Sequence, residues 1–162
     1  MKIRNNILIG IIFSILYIVS VFFFYYMSLQ SANISSKQSG FVTDIIVKIV
    51  LFFKSDWIID YDIVNNIVRK VIGHFGYSGL IGVFGFLSWY FLRLKISESM
   101  IINLIVGILI AGVGEILQLI PNDRGPSFGD FLINYMGYFI GVILILLIVK
   151  LIVKKNNGRL YV

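Results

Sequence analysis

The sequence predicts an all-α membrane protein: four transmembrane helices with one or two amphipathic helices on its outer face. Two observations carry this. Apolar residues make up 59% of the 162 residues and charged residues only 14%, with a mean hydropathy of +0.95, a balance foreign to soluble globular domains. Four runs, approximately Asn6–Met27, His74–Leu92, Met100–Ile120 and Phe131–Val149, each reach the length of about 20 residues that crosses roughly 30 Å of hydrocarbon. What remains is too short for a soluble catalytic domain. The chain therefore reads as one membrane domain over residues 1–162, and any chemistry lies in the membrane or at its surface.

The first run follows Lys2 and Arg4, as a secretory signal would, but its apolar core is far longer than the roughly 7–15 residues of a signal peptide. An uncleaved signal anchor is expected. Ser28 to Ser39 is rich in hydroxyls and amides and reads as a solvated loop with a helix N-cap among its serines. Val42, Ile45, Ile46, Ile49, Val50 and Phe53 then recur at helical spacing, opposite Thr43, Lys48 and Lys54, which predicts an amphipathic helix lying in the interface. Ser55 and Asp56 break it and cap a second such helix, with Val64, Ile67, Val68 and Val71 on its apolar side. The external amphipathic segment spans about 38–72 and forms a lid or collar. The second span carries glycine every third residue from Gly73 to Gly85, and the fourth carries Gly137-x-x-x-Gly141, spacings that let helices pack closely.

Basic residues beside the spans set the orientation. Lys2 and Arg4, then Arg93 and Lys95, then Lys150, Lys154, Lys155 and Arg159 fall on one side, which is expected to be cytoplasmic. Both termini are then inside a cell (plasma) membrane crossed several times, and the segments 28–73 and 121–130 are outside. The net charge of +6 reports these flanks. They form no cluster, so no nucleic-acid partner is expected. With no cysteine in the chain, disulfides, thiolate metal sites and a cysteine nucleophile are excluded.

The polar residues that fall in or beside spans are the candidates for function, because an ionisable group near hydrocarbon costs roughly 2.5–3.5 kcal/mol on an insertion scale. Lys70, His74 and Ser78 share a helix face. Glu115 and Gln118 share another, about one turn below the outer surface. Asp130, Asn134, Gly137 and Gly141 form one stripe, which must point into the bundle because lipid offers Asn134 no partner. Arg124 lies in the turn between. Three readings fit this constellation. It can be a packing network in which Arg124 or Lys70 neutralises Glu115 and Asp130. It can be a site for an anionic or amide-rich headgroup anchored by Arg124 and Lys70. Or it can be an enzyme, with His74 or Glu115 as general base, Ser127 or water as nucleophile, and Asp130 as a further catalytic candidate. The spacing of the histidine and carboxylates matches no zinc signature, so neither metal nor cofactor is expected.

The pattern Glu115-x-x-Gln118-x-x-Pro121-x-x-Arg124-x-x-Ser127-x-x-Asp130-x-x-x-Asn134-x-x-Gly137-x-x-x-Gly141 resembles the second half of the VanZ-like family of small bacterial membrane proteins. Lys70-x-x-x-His74-Phe75, with Gly82 following, resembles that family's central motif. Gln30 and Ser31, with Ser28, Ser35 and Ser39, resemble its serine-rich segment. Many members carry Glu-Tyr where this chain has Tyr77-Ser78. The resemblance implies a polytopic cell-envelope protein. The family's founding member is associated with raised resistance to the glycopeptide teicoplanin without a change in the peptidoglycan precursor. It also implies that the shared polar residues form a site, without choosing between binding and catalysis. The expected ligand-binding set is thus Lys70, His74, Glu115, Gln118, Arg124, Ser127, Asp130, Asn134, Gln30 and Ser31. The expected partners are membrane lipids and a cell-wall precursor or glycopeptide; a membrane-embedded hydrolase or transferase acting on an outer-leaflet headgroup is the alternative.

Overall fold

The computed structural model describes residues 2–92 and 95–155, with the side chains of 2–6 and 153–155 left aside. The flanking cations Lys2, Arg4, Arg93, Lys154, Lys155 and Arg159 therefore lie outside the described side chains. Six α-helices and one π-helical stretch follow in order: α1 (Lys2–Ser28), α2 (Ala32–Phe53), α3 (Tyr61–Val68), the π-helical stretch (Arg69–Gly76), α4 (Tyr77–Phe91), α5 (Ile96–Leu117) and α6 (Phe128–Lys155). Among the described residues there is no strand. Four segments are long and apolar enough to cross a membrane: Ile7–Ser28, Tyr61–Phe91, Ile96–Leu117 and Phe128–Ile152.

The second of these differs from the sequence expectation. Instead of a separate amphipathic helix followed by a span from His74, residues Tyr61 to Phe91 run as one helical rod of 31 residues. The start signal is Asp60, not Ser55 or Asp56: its carboxylate accepts from the backbone N–H groups of Asp62 (3.0 Å) and Ile63 (3.1 Å). The rod can include the polar residues of its first turns because α2 satisfies them. Thr43 Oγ1 donates to Asn65 Oδ1 (3.0 Å), and Asn65 Nδ2 donates to Ser36 Oγ (3.0 Å).

This pairing also corrects the expected polarity of α2. Thr43, placed by periodicity on the polar face, is wholly buried, while Ile45, Ile49, Phe41 and Phe52 are exposed. In an apolar surrounding, the hydroxyl is the group that must find a protein partner. The serine-rich segment is looped only over residues 29–31 and helical from Ala32 on, with the expected N-cap among its serines. Ser31 Oγ accepts from Ile34 N–H (3.3 Å) and caps α2, which begins at Ala32.

α4 and α6 form the closest helix pair, and glycine makes it possible. A Cβ built on Gly137 would collide with the Phe75 carbonyl, one on Gly141 with the Gly79 carbonyl, and one on Gly82 with the Tyr138 carbonyl. Backbone therefore lies directly on backbone along this seam. Beside it sits an apolar core of Phe24, Ile81, Phe86, Ile110, Tyr138, Val142 and Leu146. The half of the bundle away from the α5–α6 hairpin holds a second polar string that sequence reading did not single out. Tyr17 and Tyr138 share a hydroxyl contact of 3.2 Å, Tyr138 donates to Asn103 Oδ1 (2.9 Å), and Ser14 meets Ser88 (2.7 Å).

The seam makes a prediction. Gly141→Ala forces α4 and α6 apart and is expected to cost about 1–3 kcal/mol, as overpacking does. At roughly 2–4 °C per kcal/mol for a chain of this size, the thermal midpoint in detergent falls by several degrees. Gly112→Ala, whose Cβ would have only an ordinary 4.0 Å contact with the Phe131 ring, is the control and leaves the midpoint in place.

Candidate functional site

The α5–α6 hairpin brings the polar residues to one end of the bundle, and each is held by a specific local reason. Glu115 lies in the last turn of α5 and is 5% exposed. Its carboxylate is satisfied by three N–H donors and no cation. Asn134 Nδ2 (3.1 Å) and Gln118 Nε2 (3.2 Å) donate to Oε1, and the backbone N–H of Ser127 (3.0 Å) donates to Oε2. Three N–H donors on the two oxygens are what lets a buried carboxyl group be tolerated here.

Asn134 is the junction of the site. It is 1% exposed on the inward stripe of α6. While its Nδ2 reaches Glu115, its Oδ1 meets Ser78 Oγ (3.2 Å) and His74 Nδ1 (3.1 Å). One amide thus ties α5 and α6 to α4 and the π-helical stretch. His74 lies in that stretch, whose wider turns are a feature often found at functional positions. Ser78 is a member of the network through its bond to Asn134.

The hairpin itself is bolted to three helix ends. Arg124 Nη1 donates to the carbonyls of Gln30 (3.2 Å) and Met27 (3.5 Å), completing the open end of α1 where the helix dipole is negative. Burial, and then the neighbouring Arg69, pull its guanidinium pKa down from the usual range, while Glu115 and Asp130 pull the other way. A guanidinium nevertheless stays charged in proteins. Asp123 Oδ2 accepts from Ala32 N–H (3.0 Å) at the start of α2. Ser127 Oγ accepts from Asp130 N–H (3.2 Å) and caps α6.

The structure therefore brings together Glu115, Gln118, Ser127, Asn134, Ser78 and His74 by direct bonds. It does not pair Arg124 with Glu115; the expectation that a cation neutralises that carboxylate fails because neutral donors already surround it. Lys70 meets Asp130 at 3.8 Å with its side chain 43% exposed. A pair of that kind is worth little. Gln30 lies beside α2, where Gln38 Nε2 donates to its Oε1 (3.0 Å), and Ser31 is a helix cap. Among the described residues no group of three or more histidines and carboxylates is gathered as a metal site. Sequence reasoning did not foresee Asp123, whose signal is only a carboxylate one residue before the arginine.

Against this network lies a cavity of about 220 Å³ between α1, the start of α2, the π-helical stretch and the hairpin. Its polar lining comes from Ser28, Ser35, His74, Gln118 and Arg124, and its apolar lining from Phe23, Phe24, Met27, Ile72 and Tyr77. Phe23 and Ile72, at the rim, are each 49% exposed. A Cβ built on Gly73, between Ile72 and His74, would meet nothing within 4 Å. Chemically, the cavity offers a guanidinium, an imidazole and an amide in an otherwise largely apolar lining.

Asn134→Leu removes three hydrogen bonds at once. With membrane hydrogen bonds averaging about 0.6 kcal/mol each, a loss of about 2 kcal/mol and a fall of several degrees in the thermal midpoint are expected, with the helices retained by circular dichroism. Phe139→Leu, on the same helix, leaves the midpoint nearly unchanged.

No curated protein and no solved structure matches the chain. The sequence model of the family described as VanZ/LLP1 matches residues 13–150, a stretch that begins within α1, ends within α6 and contains every residue of the network. With four membrane-spanning helices and that match, this is a multi-pass membrane protein that belongs to the VanZ/LLP1 family.

Proposed function

We propose that the protein binds the anionic headgroup of an envelope lipid, or a ligand that resembles one, in the cavity beside His74 and Arg124. The observation that carries this reading is the lining of that cavity: a guanidinium and an imidazole together with aromatic and aliphatic side chains. Such a lining suits an amphipathic molecule. Arg124 supplies a planar charged donor suited to phosphate or carboxylate, and Gln118, His74 and Asn134 orient ligand or one another. The half-exposed apolar rim of Phe23 and Ile72 favours entry from the hydrocarbon. A volume of about 220 Å³ is below the roughly 300–1,000 Å³ of pockets that enclose drug-sized ligands, so it fits a headgroup rather than a whole lipid. In this reading the protein sits in the plasma membrane with both termini cytoplasmic and the hairpin outside. A contribution to teicoplanin-type resistance would then act through the outer leaflet or a lipid-linked wall precursor.

The bonded chain Glu115–Asn134–His74 favours a second reading, a hydrolase or transferase acting on the same headgroup with His74 as general base. Incubation of the purified protein with envelope lipids separates the two readings: a new product supports the enzyme, and saturable binding without product supports the binding protein.

Two outcomes are expected. Orientation is read by a reporter fused after residue 162 and by labelling a single cysteine at Asn122, in a chain that has no other. The reporter is active only in the cytoplasm, and an impermeant reagent reaches the cysteine from outside. Binding is read on vesicles of phosphatidylcholine with or without an anionic phospholipid. Arg124→Lys keeps the charge and loses the planar fork. It is expected to weaken binding of the anionic lipid about tenfold, equivalent to about 1.4 kcal/mol, and equal binding in this variant and the parent would reject the site.

A further inference from the structure

The polar network fixes more than the position of the histidine. Glu115 accepts from three N–H groups, so it acts purely as an acceptor, and Asn134 must turn its Nδ2 toward it. The carbonyl oxygen Oδ1 of Asn134 is then the atom that faces Ser78 Oγ and His74 Nδ1. A carbonyl oxygen only accepts. His74 must therefore donate through Nδ1–H, which excludes the Nε2–H tautomer; in the neutral imidazole, the form taken here beside the Arg124 cation, the lone pair is then on Nε2. Among the described residues the one side-chain hydrogen bond of His74 runs through Nδ1, so Nε2 is the nitrogen left to the cavity that His74 lines. Glu115 sets the amide, the amide sets the tautomer, and the tautomer decides what the cavity accepts.

Building on the headgroup site described above, we propose that Glu115 and Asn134 lock His74 with its proton on Nδ1, so that the cavity presents a hydrogen-bond acceptor beside the Arg124 cation and selects a phosphodiester lipid whose headgroup bears its own hydroxyl. The phosphodiester anion takes the guanidinium. The headgroup hydroxyl donates to Nε2. A purely anionic headgroup with no donor leaves the lone pair of Nε2 desolvated and unpaired, which costs it affinity. Specificity thus comes from an acceptor that a hydroxyl-free anion cannot satisfy. Asn134 and Glu115 are positioning residues in this scheme, because they act through His74.

The chain has a single histidine, so the tautomer can be read directly. In the full chain labelled with ¹⁵N-histidine and reconstituted in phosphatidylcholine vesicles at neutral pH, the spectrum is expected to show a protonated Nδ1 and an unprotonated Nε2. Asn134→Leu removes the constraint and is expected to populate the Nε2–H form. A parent spectrum dominated by Nε2–H overturns the proposal without a variant having to fold. Selectivity is read on phosphatidylcholine vesicles doped with phosphatidylglycerol or with phosphatidylmethanol, which carry the same phosphodiester charge and differ in the headgroup hydroxyls. The parent is expected to prefer phosphatidylglycerol by about three- to tenfold, the range that one net hydrogen bond supplies, and His74→Phe is expected to bind both equally. If both lipids bind with equal Arg124-dependent affinity, the headgroup site stands and the acceptor proposal falls. If neither binds in an Arg124-dependent way, the headgroup site falls and the tautomer spectrum alone judges the lock.

Discussion

A carboxylate held in the last turn of a membrane-spanning helix must be surrounded by donors or it will not stay there, and Glu115 is surrounded by three. The donors come from different places: the turn of α5 itself, the backbone at the start of α6, and the side chain of Asn134, nearly two turns into α6. Satisfying this one group therefore fixes how α5 closes onto α6. It also fixes the Asn134 amide, whose other end holds His74 and Ser78. An unsatisfied polar group costs several kcal/mol in hydrocarbon. The four elements that share this amide are thus held in register by a polar contact, while the glycine seam between α4 and α6 supplies the close packing that brings them within reach. Neither works alone. Without the glycines the amide could not approach His74 and Ser78, and without the amide the seam would align two apolar surfaces with little to choose between registers.

The hairpin plays the complementary part at the helix ends. A helix terminus leaves backbone groups unpaired, and the short segment between α5 and α6 answers three such termini with adjacent or nearby residues. Asp123 meets the N–H groups at the start of α2, Arg124 the carbonyls at the end of α1, and Ser127 the start of α6. The charges match the helix dipoles at the two ends they touch: a carboxylate at an N-terminus and a guanidinium at a C-terminus. Arg124 consequently has two duties. It closes α1, and it forms part of the cavity wall. A guanidinium carries five N–H donors, and the bonds to these carbonyls use only one of its nitrogens.

Much of this was legible in the sequence, and the reasons for the rest are physical. The four spans follow from apolar length, and the inward stripe of Asp130, Asn134, Gly137 and Gly141 follows from helical spacing together with the intolerance of lipid for an unpaired amide. Periodicity failed where a second element changed the meaning of polarity. Thr43 and Asn65 look solvated when each helix is read alone, yet they bury each other. That mutual satisfaction lets the rod from Tyr61 run straight into the span that was expected to begin at His74. Periodicity also cannot show which charge meets which donor. Arg124 and Glu115 are opposite charges in one hairpin, and pairing them is the natural expectation, but the open carbonyls of α1 and the N–H groups of α6 lie closer to each. Tyr138 and Asn103 were passed over for a related reason. A tyrosine within an apolar run reads as packing, and only the fold shows its hydroxyl reaching an asparagine 35 residues away in sequence.

The two polar networks differ in what they can do, and the difference follows from where they sit. The Tyr17–Tyr138–Asn103 string is closed: each neutral group finds its partner among the others, next to glycines at 85 and 107 that leave no room beside the Tyr138 ring. It holds α1, α5 and α6 together; Tyr17 also borders an apolar cavity of about 280 Å³, but its hydroxyl is bonded to that of Tyr138. The Glu115–Asn134–His74 network has a carboxyl group at one end and an imidazole on a cavity at the other. A string of polar groups that ends on open space is costly unless something completes it, because the last group is neither fully hydrated nor fully bonded. Within this bundle, that unfinished end is His74. It lies beside the guanidinium of Arg124 in a slot whose rim of Phe23 and Ile72 is half exposed. Around Tyr138, 1% exposed, packing has closed the corresponding end; at His74 the headgroup of the proposed function is what would complete it.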